Sequence, residues 1–120
     1  MAVTAEQLMR SRYSAFALAA SDPEAIEHLL RTHPETGQTA AARRKALKDS
    51  CRTIQWLSLK VLDHQNGGPL DQQGTVTFEA LWRDRDRREG VLRECSRFGR
   101  GESGEWLYLE ALSLGNEPAG

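Results

Sequence analysis

The spacing of the apolar residues changes once along this chain of 120 residues, near Thr53. Before that point apolar residues recur three and four positions apart, as on one face of a helix, and after it they alternate with polar residues, as in half-buried strands. Helices followed by strands are typical of an α+β domain in which the helices cover an antiparallel sheet. Because a chain of this length supports one core but not two, we expect a single domain over residues 1–114.

Three helices are predicted, over about residues 5–19, 23–33 and 40–51. Thr4 followed by Gln7 indicates a capping box at the first helix. Asp22 is a favourable N-cap for the second helix, with Pro23 at its first position. That helix should end before Pro34, because a residue that precedes proline is disfavoured in helical geometry.

Four strands are predicted, over about residues 53–64, 75–83, 91–98 and 106–112. The charged segment 84–90 and the glycine-rich segment 99–104 indicate hairpin turns rather than phosphate-binding loops, because neither joins a strand to a helix. A curved four-stranded antiparallel sheet around a long first helix makes a cone, and such cones often hold a pocket. The segment 115–120 has no apolar anchor, so we expect a mobile C-terminal tail.

Several motifs resemble those of the YchJ-type proteins: the run MRSRYSAF at 9–16, His33-Pro34, WLSL at 56–59, ECSRF at 94–98 and GEWLY at 104–108. The resemblance covers about residues 6–111 and implies a nuclear transport factor two-like, cystatin-related cone. YchJ-type proteins usually carry Cys-rich SEC-C zinc motifs beside this domain. This chain has none, so the metal binding that those motifs imply is not carried over. The family is uncharacterised, so the resemblance implies a fold and not an activity.

Charge and composition exclude several classes of partner. A formal net charge of −1 and a pI near 6.3 provide no broad positive field, which disfavours nucleic acid as a partner. No run approaches the roughly 20 apolar residues of a membrane span, and the amino terminus becomes polar too early for a signal peptide. Cys51 and Cys95 are too few for a disulfide scaffold, and too few for a protein-only zinc site unless His33 or His64 converges on them. We therefore expect a cytoplasmic protein with reduced thiols, no metal and no cofactor.

Polar residues gather on one face of the predicted sheet. If the hairpins pair symmetrically about their turns, Glu79 lies opposite Glu94, and Glu94 lies opposite Glu110. Ser96, Trp106 and Tyr108 would share this face. A slip of one residue would move all of these side chains to the other face, because side chains alternate along a strand.

Arg12 lies at the edge of the apolar face of the first helix, and a guanidinium there needs an acceptor. In the structural interpretation it pairs with Glu94 or Glu110. In the functional interpretation neighbouring carboxylates raise one another's pKa, so that one can act as a general acid or base. His33 is expected to cap or pack at a helix end, with a catalytic role as the alternative. The full set of candidate pocket residues is Arg12, Tyr13, Phe16, His33, Glu79, Glu94, Ser96, Trp106, Tyr108 and Glu110.

Three functional hypotheses follow. The first is an accessory domain that binds a small molecule in the cone or another chain on the sheet, with a homodimer through the sheet expected. This one is favoured over an enzyme because no recognisable catalytic motif is present. The second is a small lyase, isomerase or hydrolase that uses Glu94 or Glu110 as acid or base. The third is a protein-docking module, suggested by the SEC-C neighbours of the family.

Overall fold

A computed structural model describes residues 2–35 and 37–118 of the chain, and in it three helices precede four strands. The elements are α1 (Ala5–Leu18), α2 (Pro23–Arg31), α3 (Ala40–Cys51), β1 (Ile54–Asn66), β2 (Gln73–Asp84), β3 (Glu89–Arg100) and β4 (Trp106–Pro118). The strands form one antiparallel meander in the order β1-β2-β3-β4. The helices pack on this sheet, which confirms the predicted α+β class.

Each helix begins at a side chain that accepts a hydrogen bond from the backbone of its first turn. Thr4 caps α1, Asp22 caps α2 and Thr39 caps α3, with donor–acceptor distances of 3.0–3.1 Å. Such caps satisfy backbone N–H groups that have no partner inside the helix, and each typically contributes about 1 kcal/mol. The helix starts are thus set by local sequence.

The strands extend further than predicted, most of all β4. Residues 115–118 pair with β3, ending at Gly90 opposite Pro118. The prediction of a mobile tail is therefore wrong for residues 115–118, and the predicted boundary at residue 114 falls inside a strand. Backbone hydrogen bonds to β3 order this segment without an apolar anchor. Ala119 and Gly120 lie outside the described residues.

Both edge strands contain extra residues. The pairing skips Leu57 and Leu62 in β1, and it skips Leu109 and Leu112 in β4. Such β-bulges bend a strand and interrupt its alternation. In β1 the bulge brings Trp56 to the helix-covered face together with residues 59 and 61, so the strict alternation predicted for this strand is wrong.

The buried residues form two clusters, one at each end of α1. The cluster nearer the amino terminus packs α1 on the sheet and contains Ala5, Leu8, Met9, Val76, Phe98 and Trp106. The other packs α1 against α2 and α3 and contains Ala15, Ala19, Ala25, Ile26, Leu29 and Cys51. Between the two clusters, the buried position on α1 is Arg12. The interior is therefore polar where the two clusters meet.

Gly74 lies where β1 turns into β2, and we expect Gly74→Ala to destabilise the fold by about 2 kcal/mol or more. A Cβ at this position would lie inside van der Waals contact of the Gly67 backbone. Gly67 cannot easily move away, because its positive φ of 75° forms the turn and its carbonyl accepts from Ala5 N at 2.9 Å. Urea unfolding would measure the loss.

Gly115→Ala is the matched control, since Gly115 also lies in a strand but has nothing within 4 Å of an added Cβ. We expect its effect to stay within about 0.5 kcal/mol. Equal stability of the two variants would show that the backbones of Gly67 and Gly74 are not in close contact.

Candidate functional site

A cavity of roughly 190 Å³ lies between α1 and the sheet. Its largely apolar walls come from four elements: Met9, Tyr13 and Phe16 of α1, Trp56 of β1, Phe78 and Ala80 of β2, and Leu92 and Phe98 of β3. Four polar side chains complete the lining: Arg12, Glu94, Ser96 and Tyr108. An apolar cavity with a few polar groups is the usual form of a small-molecule site.

Glu94 is the acid of this site. Its Oε2 accepts hydrogen bonds from the Tyr108 hydroxyl at 3.1 Å and from the Ser96 hydroxyl. Within the described part of the chain, no hydrogen bond ends on Oε1. One carboxylate oxygen is thus held by the protein, and the other is available to a molecule in the cavity.

Arg12 is the cation of this site. Its Nη1 donates to the Leu29 carbonyl at 3.0 Å and to the Thr32 hydroxyl, and its guanidinium carbon lies 4.9 Å from the Tyr108 ring centroid. Burial lowers the pKa of Arg12 to about 10, although Tyr108 and Glu94 act in the opposite direction.

The predicted ion pair of Arg12 with Glu94 or Glu110 is wrong. Among residues 2–35 and 37–118, no carboxylate oxygen lies within 4.0 Å of a nitrogen of the Arg12 guanidinium. Its Nη1 instead donates to the Leu29 carbonyl and the Thr32 hydroxyl at the end of α2. Arg12 therefore joins α1 to α2, and its charge lies beside the cavity without a paired carboxylate.

The predicted face of three carboxylates is also wrong. Glu94 lines the cavity, but Glu79 lies opposite Arg93 and pairs with it on the outer face of the sheet. Glu110 lies opposite Arg97 and forms an ion pair with it at 2.7 Å. The cavity lining therefore contains one carboxylate, that of Glu94.

The cause is the sheet register. The β2–β3 turn closes tightly, because Asp84 N donates to the Arg88 carbonyl and strand pairing already begins with Arg83 opposite Glu89, so that Phe78 rather than Glu79 lies opposite Glu94. This moves the pairing by one residue. In β4 the bulges at Leu109 and Leu112 shift the register again.

Two further candidate residues lie outside the cavity lining. Trp106 belongs to the core cluster near the amino terminus, where its Nε1 donates to the Val3 carbonyl at 3.0 Å. His33 packs its ring 4.9 Å from the Tyr108 ring and its Nδ1 lies 3.0 Å from the Tyr108 carbonyl. Because a carbonyl only accepts, Nδ1 carries the proton. His33 therefore joins the end of α2 to β4.

The candidate set from the sequence lacks six residues of the lining: Met9, Trp56, Phe78, Ala80, Leu92 and Phe98. Phe78 and Ala80 alternate with Glu79, so a correct register would have placed them beside Glu94. The β1 bulge conceals Trp56, because nothing in the residue types marks Leu57 as unpaired. The α1 residues Arg12, Tyr13 and Phe16 do line the cavity.

Tyr108 provides a pH-dependent test of this geometry. Burial, together with Glu94, raises the pKa of Tyr108 from 10.0 to about 12. Between these values the folded protein keeps a proton that the unfolded chain releases, so this group's contribution to stability falls as pH rises through the window. We expect the stability difference between wild type and Tyr108→Phe to be constant below pH 10 and then to shift in favour of the variant.

Urea unfolding at a series of pH values measures this difference. Arg12, whose folded pKa is lowered, contributes in the opposite direction, but it is present in both proteins and cancels to first order in the difference. The phenolate absorbance of the folded protein gives an independent readout, because the signal lost in Tyr108→Phe should titrate near pH 12. A difference that does not change with pH would contradict the buried contact between Tyr108 and Glu94.

No helix within 2–35 and 37–118 has the length and apolar character of a membrane span. In the same ranges, no group of three or more His, Cys, Asp or Glu side chains is placed to hold a metal ion.

Comparisons with known proteins agree with this fold. Residues 4–111 match the family model described as YchJ, middle NTF2-like domain. A UPF0225 protein of Streptomyces coelicolor is 40% identical over 114 residues, which cover 94% of this chain and 77% of the relative. One from Geobacter sulfurreducens is 32% identical over 119 residues, covering 98% of this chain and 68% of the relative.

A solved structure is also similar. The solution structure of a SEC-C motif containing protein from Rhodopseudomonas palustris has a TM-score of 0.72 at 26% identity, and the match covers 92% of this chain and 79% of that chain. The resemblance stated from the sequence motifs is thereby confirmed. The chain belongs to the UPF0225 family and has the fold of the YchJ middle NTF2-like domain.

Proposed function

We propose that this domain binds a small molecule in the cavity between α1 and the sheet. The observation that carries the proposal is the Glu94 carboxylate, which has one oxygen held by Ser96 and Tyr108 and the other available inside a mainly apolar cavity of roughly 190 Å³. Polar groups placed this way in an apolar pocket fix the orientation of a ligand.

Stability alone does not account for this arrangement. Arg12 is buried and Glu94 is half-buried, and they do not form an ion pair. Removing unpaired charges from water in this way costs free energy, and apolar residues of similar volume are often as stable or more stable. Arg12 is 9% exposed, and the void beside it forfeits packing contacts as well. Recognition of a ligand is a reason to retain both charges and the void.

The protonation state of Tyr108 favours binding over proton transfer. With a pKa of about 12, the Tyr108 hydroxyl remains protonated near neutral pH and acts as a hydrogen-bond donor. A general acid or base works best with a pKa near the operating pH. Glu94 is the residue through which catalysis would act, and turnover by the wild type that is lost in Glu94→Gln would replace the binding proposal with the enzymatic one.

The proposal is tested by filling the cavity. Ala80 lines it from β2 and is 1% exposed, so Ala80→Leu places additional carbon atoms in the void. A thermal-shift screen of small metabolites and fragments should find compounds that raise the melting temperature of the wild type, because a ligand at 100 times its Kd stabilises the folded state by about 2.7 kcal/mol. In Ala80→Leu the same compounds should need at least tenfold higher concentration for the same shift.

Ala46→Leu is the matched control, since it makes the same change at an exposed position of α3. It should respond to ligand as the wild type does, and circular dichroism should show that all three proteins are folded. If Ala80→Leu does not fold, Ala80→Val tests the same point with a smaller side chain. Compounds that stabilise the filled variants as strongly as the wild type, or a screen without any stabilising compound, would overturn the proposal.

A further inference from the structure

We infer that the ligand of this cavity is an uncharged molecule with one ring and a carboxamide-like group, in which an acceptor oxygen stands beside an N–H donor. The inference rests on the proposed function and specifies its ligand class. It follows from the charge of the site, from the hydrogen-bonding groups that the protein leaves available, and from the size and lining of the cavity.

The charge of the site disfavours ionic ligands. Arg12 and Glu94 both line the cavity and carry opposite charges, and they do not form an ion pair with each other. An anion attracted by Arg12 would be repelled by Glu94, and a cation attracted by Glu94 would be repelled by Arg12. In addition, an ionic ligand would lose its hydration on entering a mainly apolar cavity. A neutral molecule avoids both costs.

The available hydrogen-bonding groups call for a ligand that both accepts and donates. Both described hydrogen bonds of Arg12 leave from Nη1, so its Nε–H and Nη2–H groups have no partner within residues 2–35 and 37–118. On Glu94, the Ser96 and Tyr108 hydroxyls both bond to Oε2, and Oε1 remains an acceptor. A carboxamide fits because its carbonyl can accept from Arg12 while its N–H donates to Glu94.

The remaining volume and lining suit one ring. A dry apolar cavity of about 150 Å³ holds benzene, and roughly 190 Å³ leaves space for a ring with a short substituent. Aromatic side chains of α1, β1 and β2 form the walls, and the Tyr13 and Trp56 rings already meet edge to face at 6.3 Å. Such walls provide favourable contacts for a planar ring.

The test uses four ring compounds of similar size: benzamide, benzoate, benzylammonium and benzyl alcohol. Calorimetric titration of the wild-type protein should show benzamide binding at least tenfold more tightly than the two ions. Benzamide should also bind more tightly than benzyl alcohol, which must donate and accept hydrogen bonds through a single oxygen. Equal or tighter binding of benzoate or benzylammonium would overturn the inferred class.

Glu94→Gln should change the affinities for benzamide and for benzoate in opposite directions. The substitution removes the negative charge, so benzamide binding should weaken by tenfold or more, whereas benzoate binding should strengthen because Arg12 is no longer offset. Glu110→Gln makes the same change on the outer face, where Glu110 pairs with Arg97, and it should change neither affinity. If Glu94→Gln does not fold, the order of affinities in the wild type decides the question.

The two proposals fail in different ways. If the screen finds compounds whose effect is lost in Ala80→Leu but benzamide does not bind, the cavity is a binding site for another class of ligand. If no compound raises the melting temperature of the wild type more than that of Ala80→Leu, both the binding function and the ligand class are contradicted.

Discussion

Arg12→Ala is expected to lower the free energy of unfolding by about 2–4 kcal/mol, because it leaves hydrogen-bond acceptors without their donor and creates a cavity. The guanidinium is buried on α1, donates to the Leu29 carbonyl and the Thr32 hydroxyl, and stacks over Tyr108. Without it, the Leu29 carbonyl loses a donor, Glu94 loses the nearest positive charge and the void grows. Urea unfolding monitored by tryptophan fluorescence measures the change.

Arg10→Ala is the matched control on the same helix. Arg10 forms an exposed pair with Glu6 at 3.0 Å, and such surface pairs contribute between 0 and about 1 kcal/mol. Arg12→Lys adds a second comparison, because lysine keeps the charge but cannot reproduce the planar contact with Tyr108. If Arg12→Ala costs no more than Arg10→Ala, Arg12 does not join α1 to α2 in the way described.

Trp106→Ala is expected to cost about 3–5 kcal/mol, as for other large aromatic residues removed from a core. Trp106 is 2% exposed and packs against Ala5, Leu8 and Met9, so it fixes the start of α1 on the sheet. Its indole also donates to the Val3 carbonyl at 3.0 Å. Chemical unfolding gives the total loss. Trp106→Phe keeps much of the packing but removes the hydrogen bond to the Val3 carbonyl. Its loss in the free energy of unfolding should therefore exceed the loss from packing by about 1 kcal/mol.

Trp82→Ala is the control, since Trp82 is the same residue type in the same sheet but is only half-buried, with its indole donating to the Asn116 side chain at 2.9 Å. We expect less than half the loss seen for Trp106→Ala. A larger loss at Trp82 would mean that stability depends on the far end of β4 rather than on the contact of α1 with the sheet.

The helices could be predicted from sequence because their signals are local. Thr4, Asp22 and Thr39 each accept a hydrogen bond from a backbone N–H two or three positions further on, and such patterns can be read without tertiary information. The change from helical to alternating spacing near Thr53 likewise located the start of the sheet. Local chemistry thus accounts for the elements and their order.

The contacts between strands could not be predicted in the same way. The residue-by-residue pairing of neighbouring strands depends on how tightly the turn at Asp84 closes. It also depends on which residue forms a β-bulge and has no partner on the neighbouring strand. Neither has a clear mark in the residue types, so Glu79 and Glu94 were expected to lie opposite each other. The partner of Arg12 was missed for a related reason. A backbone carbonyl such as that of Leu29 is present at every residue and carries no sequence signal.

The bulge at Leu109 decides how many negative charges the site contains. Tyr108 and Glu110 are two positions apart, and in an uninterrupted strand their side chains would share a face. Here the extra residue separates them, so that Tyr108 reaches Glu94 inside and Glu110 reaches Arg97 outside. In a regular strand Glu110 would turn inward and place a second acid beside Glu94. The path of the backbone at residue 109 therefore sets the charge of the cavity, which the residue types alone do not.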